Sequence, residues 1–302
     1  MRNLCFLALL AALSSCNNPP KQPSPAPVTF GPAINNLEGY PQGSPAIQAY
    51  TQYLRSLDTN NLANGHAALS EFKRLFASQP PEVCDTGFVL FWNFQHILET
   101  SDSAVGKFID PIRLDTLASA EYTGKTLNGQ EQDAQNKLWY NNFIAQEELG
   151  EFYITPGWRL ANKQFSSFVS APMKEVLAEE TKEEKEGFMV DAGLVIGPGQ
   201  LADRAIWWEH FLTRYPRHIY DSPARSKYNV LLFIMVSGSD NTSILEEDSA
   251  FKLTPYFDSA YHLIMDHSPD SRTNTVIRPF WQAVQSRDSA TMKRIRDSVP
   301  LY

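Results

Sequence analysis

Residues 201–215 read LADRAIWWEHFLTRY, and this stretch decides the fold. Leu201, Ala205, Trp208, Leu212 and Tyr215 fall at alternating spacings of four and three, which places them on one face of an α-helix. Trp207 and Phe211 widen that stripe. Adjacent helical residues differ by about 100°, so Trp207 and Trp208 do not both point straight into a core. Trp208 lies on the stripe and is assigned to packing. Trp207 lies at its edge, as a platform for a ligand.

Working outward, the same period recurs. Asp221 precedes Pro223, and residues 228–236 form a nearly all-apolar helix. Three more helices are predicted over 255–266, 275–284 and 289–299. Toward the N-terminus, Ser44-Pro45 opens a helix with Ile47, Tyr50, Tyr53 and Leu54 on one face. A second carries Leu69, Phe72, Leu75 and Phe76 and stops before Pro80-Pro81. Residues 88–98 are apolar nearly all round, which predicts a central buried helix. One long helix is expected over 130–149, one from Pro156 and one from Ala171-Pro172. The charge run over 174–186, with six glutamates and three lysines, reads as a solvated helix face. Residues 188–199 break the pattern and predict a packed loop or short extended segment. The fold class is therefore all-α, built of stacked antiparallel helix pairs.

Three helix ends share an aromatic-hydrophobic run followed by proline: Phe72–Phe76 before Pro80, Phe211–Tyr215 before Pro216, and Tyr261–Met265 before Pro269. This resembles the second helix of tetratricopeptide-like repeats, mainly over 201–299. The last two prolines stand 53 residues apart rather than 34, and the other consensus positions are missing. The resemblance implies stacked helix pairs with a concave binding surface.

The chain carries 26 basic and 34 acidic residues, a net charge of −8. Polyanion binding needs clustered Lys and Arg, so nucleic acid is excluded as a partner. The basic cluster Lys293, Arg294 and Arg296 shares its segment with Asp288 and Asp297 and reads as a solvated face. Hydrophobic residues make up 43% of the chain, enough for a sizeable core.

At the N-terminus a short basic segment, Met1-Arg2-Asn3, precedes a ten-residue apolar run over 4–13. That run is too short to span a bilayer. It ends in Leu13-Ser14-Ser15-Cys16, which resembles the lipobox of bacterial lipoproteins. The resemblance implies a signal peptide over 1–15 and lipid on Cys16. It also implies membrane attachment through acyl chains, two or more of which anchor stably. The absence of Asp after the cysteine implies the outer membrane, facing the periplasm. Residues 16–43 are rich in Pro and read as a linker, and 44–302 as the helical domain. Cys84, left alone once Cys5 and Cys16 are accounted for, reads as a buried small hydrophobe.

No nucleophile elbow, phosphate loop or metal-protease helix occurs, so no catalytic residue, cofactor or metal is assigned. His96 and Glu99 are expected to share a surface hydrogen bond. Trp158, Asp191, Trp207, Glu209 and His210 combine aromatics with carboxylates, a pairing that suits a carbohydrate or peptide. The alternative is tryptophans in the core with Glu209 and His210 facing water. Glu147, Glu148 and Glu151 could supply a second carboxylate for glycoside cleavage. Six Asp-Ser/Thr-apolar triplets resemble the acceptor of general O-glycosylation in Gram-negative envelopes. They place candidate acceptors at Ser103, Thr116, Ser249, Ser259, Ser289 and Ser298. Helix N-capping by the same Asp and Ser is the alternative.

These readings lead to a non-catalytic envelope lipoprotein that binds a protein or peptide. The competing expectations are an envelope glycan hydrolase with paired carboxylates and a structural spacer without ligand.

Overall fold

The computed structural model describes residues 44–100, 108, 114–148, 150–247 and 251–300. Residues 1–43, which hold the expected signal peptide, Cys16 and the Pro-rich linker, lie outside them. Twelve helices take up 67% of the described residues, about twice the globular average, so the fold is all-α.

Helices α1 (Pro45–Ser56), α2 (Asn64–Phe76) and α3 (Pro81–Glu99) pack on one another. Tyr50 on α1 is fully buried, and its hydroxyl donates to Ala68 O on α2 at 3.0 Å. Phe72 and Phe76 stack at 4.6 Å beneath α3, whose Phe88, Phe91 and Phe94 are all buried. The expectation of a central helix holds. Cys84 on α3 is buried as expected, and burial pushes its thiol up to about 11.

Helix α4 (Leu114–Thr123) was not singled out from the sequence. The long helix expected over 130–149 is corrected. Helix α5 (Gly129–Tyr140) ends at Asn141, and Asn142 takes a left-handed φ of 67°, which asparagine tolerates better than most residues. Strand β1 (Phe143–Glu148) then pairs antiparallel with β2 (Glu151–Pro156), in register from Phe143↔Pro156 to Glu148↔Glu151. Gly150, at φ 78°, turns the chain between them. The base of this hairpin is tied to α2. His66 N donates to Asn141 Oδ1 at 3.1 Å, and a Cβ on Gly65 would lie 2.5 Å from Asn141 O. Only glycine lets the two backbones approach so closely.

Helix α6 starts at Trp158 rather than Pro156, because Pro156 closes β2 (α6, Trp158–Phe165). It packs against α7 (Ala171–Glu186). The short hairpin β3 (Met189–Val190) and β4 (Gly193–Leu194) follows, where an extended segment was expected. Its two turn residues, Asp191 and Ala192, both have positive φ, the two-residue turn that matches strand twist.

Helix α8 (Pro198–Arg214) contains the opening stretch. Leu201, Ala205 and Trp208 are fully buried, and Leu212 and Tyr215 pack at the margin of the core. It contacts α9 (Asp221–Ser237) and α10 (Pro255–His267). The fold closes with α11 (Arg272–Gln285) and α12 (Ser289–Ser298), each packed on its predecessor. Among the described residues no helix is long and apolar enough to cross a membrane.

Candidate binding cleft

The two hairpins stand on either side of a cavity of 1140 Å³. Its floor comes from α3, α6 and α9. Trp92 on α3 and Trp158 on α6 stack there at 3.8 Å. His96 meets the Trp92 ring edge-on, and its Nδ1 shares a 2.8 Å hydrogen bond with Glu99, as expected.

The wall is α7, and here the solvated-face reading is corrected. Glu180, Glu183 and Glu184 lie three and four residues apart, hence on one helical face. That face turns inward, because each carboxylate finds donors on a neighbouring element. Glu180, almost fully buried, accepts from Tyr220 Oη at 2.7 Å and Lys227 Nζ at 2.5 Å. Glu183 accepts from Trp208 Nε1 at 2.7 Å and from the same Lys227 at 3.2 Å. Glu184 accepts the first two backbone N–H groups of α6, Trp158 N at 2.6 Å and Arg159 N at 3.1 Å. Arg204 Nη2 donates to Glu186 at 2.9 Å and to Gly187 O at 2.7 Å where α7 ends.

Burial sets the charge balance. It raises the Glu180 carboxyl even though Lys227 pulls the other way. It raises Glu184 likewise, against the two backbone donors. Burial also opposes the charge on Lys227, but Glu180 and Glu183 together hold its ammonium above the ordinary value. A proton placed on Glu180, Glu183 or Glu184 would compete with bonds the fold already makes.

The predicted site residues do not meet. Trp158 lines the cleft. Asp191 is an exposed turn residue whose carbonyl accepts from Asn241 Nδ2. Trp207 is half-buried and lies nearly parallel to Phe211 at 5.7 Å, outside the cleft lining. Glu209 neither faces water nor reaches the cleft. It is buried and accepts Arg272 N at 2.6 Å, Thr273 N at 2.7 Å and Thr273 Oγ1 at 2.6 Å. His210 is exposed. Of the second carboxylates, Glu147 lines the cleft, Glu148 belongs to β1 and Glu151 is exposed.

Sequence reasoning missed Trp92, Phe152, Tyr153, Glu180, Glu183, Glu184 and Lys227. The glutamates at helical spacing and a lysine one residue before the apolar run over 228–236 were the available signals.

Among the glycosylation candidates, Ser103 and Ser249 lie outside the described residues. Thr116 is half-buried on α4, and Ser259, Ser289 and Ser298 are exposed. Asp288 caps α12 by accepting Thr291 N at 3.0 Å, so capping accounts for that triplet. Ser170, Asp85 and His218 also come together, but Asp85 stands in the middle. It accepts from Ser170 Oγ at 2.5 Å and lies 3.3 Å from His218 Nε2. A nucleophile needs the histidine beside the serine, and Ser170 is occupied as the N-cap of α7. Among the described residues no group of His, Cys, Asp or Glu could hold a metal ion.

Comparison with family models, with curated proteins and with solved structures finds no match for this chain.

Proposed function

We propose that this chain is a lipoprotein of the cell envelope. In this reading Cys16 carries the lipid that holds it in the outer membrane, facing the periplasm. Its stacked helix pairs, tetratricopeptide-like in character, are the scaffold for a cleft that binds a peptide or protein segment without catalysis. One observation carries the reading. Five large hydrophobic side chains are exposed among the described residues, and four of them line the cleft: Phe152, Tyr153, Val190 and Val195. Val190 and Val195 are 50% and 53% exposed, and Phe152 is 42% exposed. Apolar side chains clustered on the rim of a cavity mark a binding surface, whereas scattered ones do not. The fifth, Tyr140, is stacked on His66 at 3.6 Å.

A glycan hydrolase needs one carboxyl free to give up a proton and another free to attack or to activate water. Glu180, Glu183 and Glu184 are each committed to two protein donors, which favours binding over hydrolysis. A photo-crosslinking residue placed at Phe152 or Val190 in the full-length protein should capture a partner in intact envelopes. The same residue at Tyr140 or Trp207 should not. Equal labelling at all four positions, or none at any, would sink the cleft as the binding site. The anchor is tested by Cys16→Ala, which should move the protein to the soluble fraction and end acyl-label incorporation.

A further inference from the structure

We propose that the segment held in this cleft is cationic, a peptide stretch in which Lys or Arg alternates with apolar residues. The inference rests on the cleft reading above and adds the chemistry of the occupant. The described lining residues carry six carboxylates, on Asp115, Glu147, Glu180, Glu183, Glu184 and Glu186. Three cations, Lys185, Arg204 and Lys227, stand among them, and Arg159 reaches Glu184 at 3.8 Å from outside the lining, so four cations answer six carboxylates. Lys227 is shared between Glu180 and Glu183, so one ammonium answers two carboxylates. Arg204 is spent on Glu186 and the end of α7. The cleft is therefore short of positive charge in a setting where water is partly excluded, and there Coulomb attraction is stronger than at an open surface. The apolar rim demands the other half of the ligand. Phe152 and Tyr153 stand on one hairpin, with Val190 on the other and Val195 just beyond it, so apolar groups are wanted at the mouth and positive ones inside. An acidic partner would meet repulsion from the wall, and a purely apolar one would leave the wall uncompensated.

The experiment titrates the full-length protein in detergent with three short synthetic peptides. They alternate Leu with Lys, Leu with Glu, and Leu with Ser, and indole fluorescence reports binding. The Lys peptide should bind about tenfold tighter than the Glu peptide, and added salt should weaken it. Glu147→Gln, on the hairpin, should weaken the Lys peptide about threefold and leave the Ser peptide unchanged. Phe152→Ser should weaken every peptide that binds. If the Ser or Glu peptide binds as tightly as the Lys peptide and Phe152→Ser weakens them all, the cation preference is wrong and the cleft stands. If no peptide binds, or if binding ignores Phe152→Ser and Val190→Ser, both the cation preference and the cleft fall.

Discussion

The N-termini of α6 and α11 are held in the same way, yet they serve different regions. At α6, Glu184 accepts the N–H groups of Trp158 and Arg159. At α11, Glu209 accepts those of Arg272 and Thr273. In each case a distant glutamate satisfies two orphan amides and meets the positive end of the helix dipole. The difference lies behind the carboxylate. Behind Glu209 the Tyr228 hydroxyl and the α8 core seal the site. Behind Glu184 the cavity opens. One device thus serves as a rivet in the C-terminal helices and as part of a wall in the cleft, and only its surroundings decide which.

The comparison is easiest to break on the sealed side. Trp208 is fully buried, and Trp208→Ala should destabilise the domain by about 3–5 kcal/mol in urea unfolding. Trp207→Ala should cost distinctly less. Equal losses would mean that both rings are core and that Trp207 is more than the margin of the α8 stripe. Next in size, Glu209→Ala strands two amides and a threonine hydroxyl and should cost about 3 kcal/mol with no effect on peptide binding. A binding defect in that variant would erase the distinction between rivet and wall.

The cleft side should respond to pH. Burial holds the Glu184 carboxyl above its ordinary value, so the folded chain takes up that proton before the unfolded chain does. The native state then binds more protons, and this group's contribution to stability falls as pH rises out of the ordinary carboxylate range. Glu184→Gln removes that slope. The parent's advantage over the variant should shrink as pH rises above the ordinary carboxylate range, as read by unfolding at each pH. A constant difference would mean that Glu184 behaves as an open surface group. The smallest effect is expected at the β3–β4 turn. Ala192 sits at φ 53°, where glycine is at ease, and Ala192→Gly should stabilise by roughly 0.5 kcal/mol in thermal unfolding.

The helices were legible because burial imposes its period on them. Leu201, Ala205 and Trp208 announce their face, and Pro45 and Pro172 announce their starts. The first hairpin was not legible, because Phe143-Ile144-Ala145 continues a helical pattern as readily as it begins a strand. The decision rests on one left-handed residue, Asn142, whose conformation no spacing reveals. The cleft was hidden for another reason. Lys227 meets Glu180 across 47 positions and Trp208 meets Glu183 across 25, so charges that look solvated in the chain become partners only after packing. Of the predicted ligand residues, Trp158 reached the cleft, and Glu209 turned out to be the rivet.

The close approach of Gly65 to Asn141 also bears on the order in which the molecule assembles. The bond from His66 N to Asn141 Oδ1 closes a loop of 75 residues, an entropy cost of about 4 kcal/mol that local contacts cannot offset. The β1–β2 hairpin closes locally across Gly150, so this long loop is the cost of docking the hairpin on α2 and not of setting its register. In a chain that emerges N-terminus first, α2 and the hairpin are present before α6, α7 and α9, so the cleft is completed only when those helices arrive.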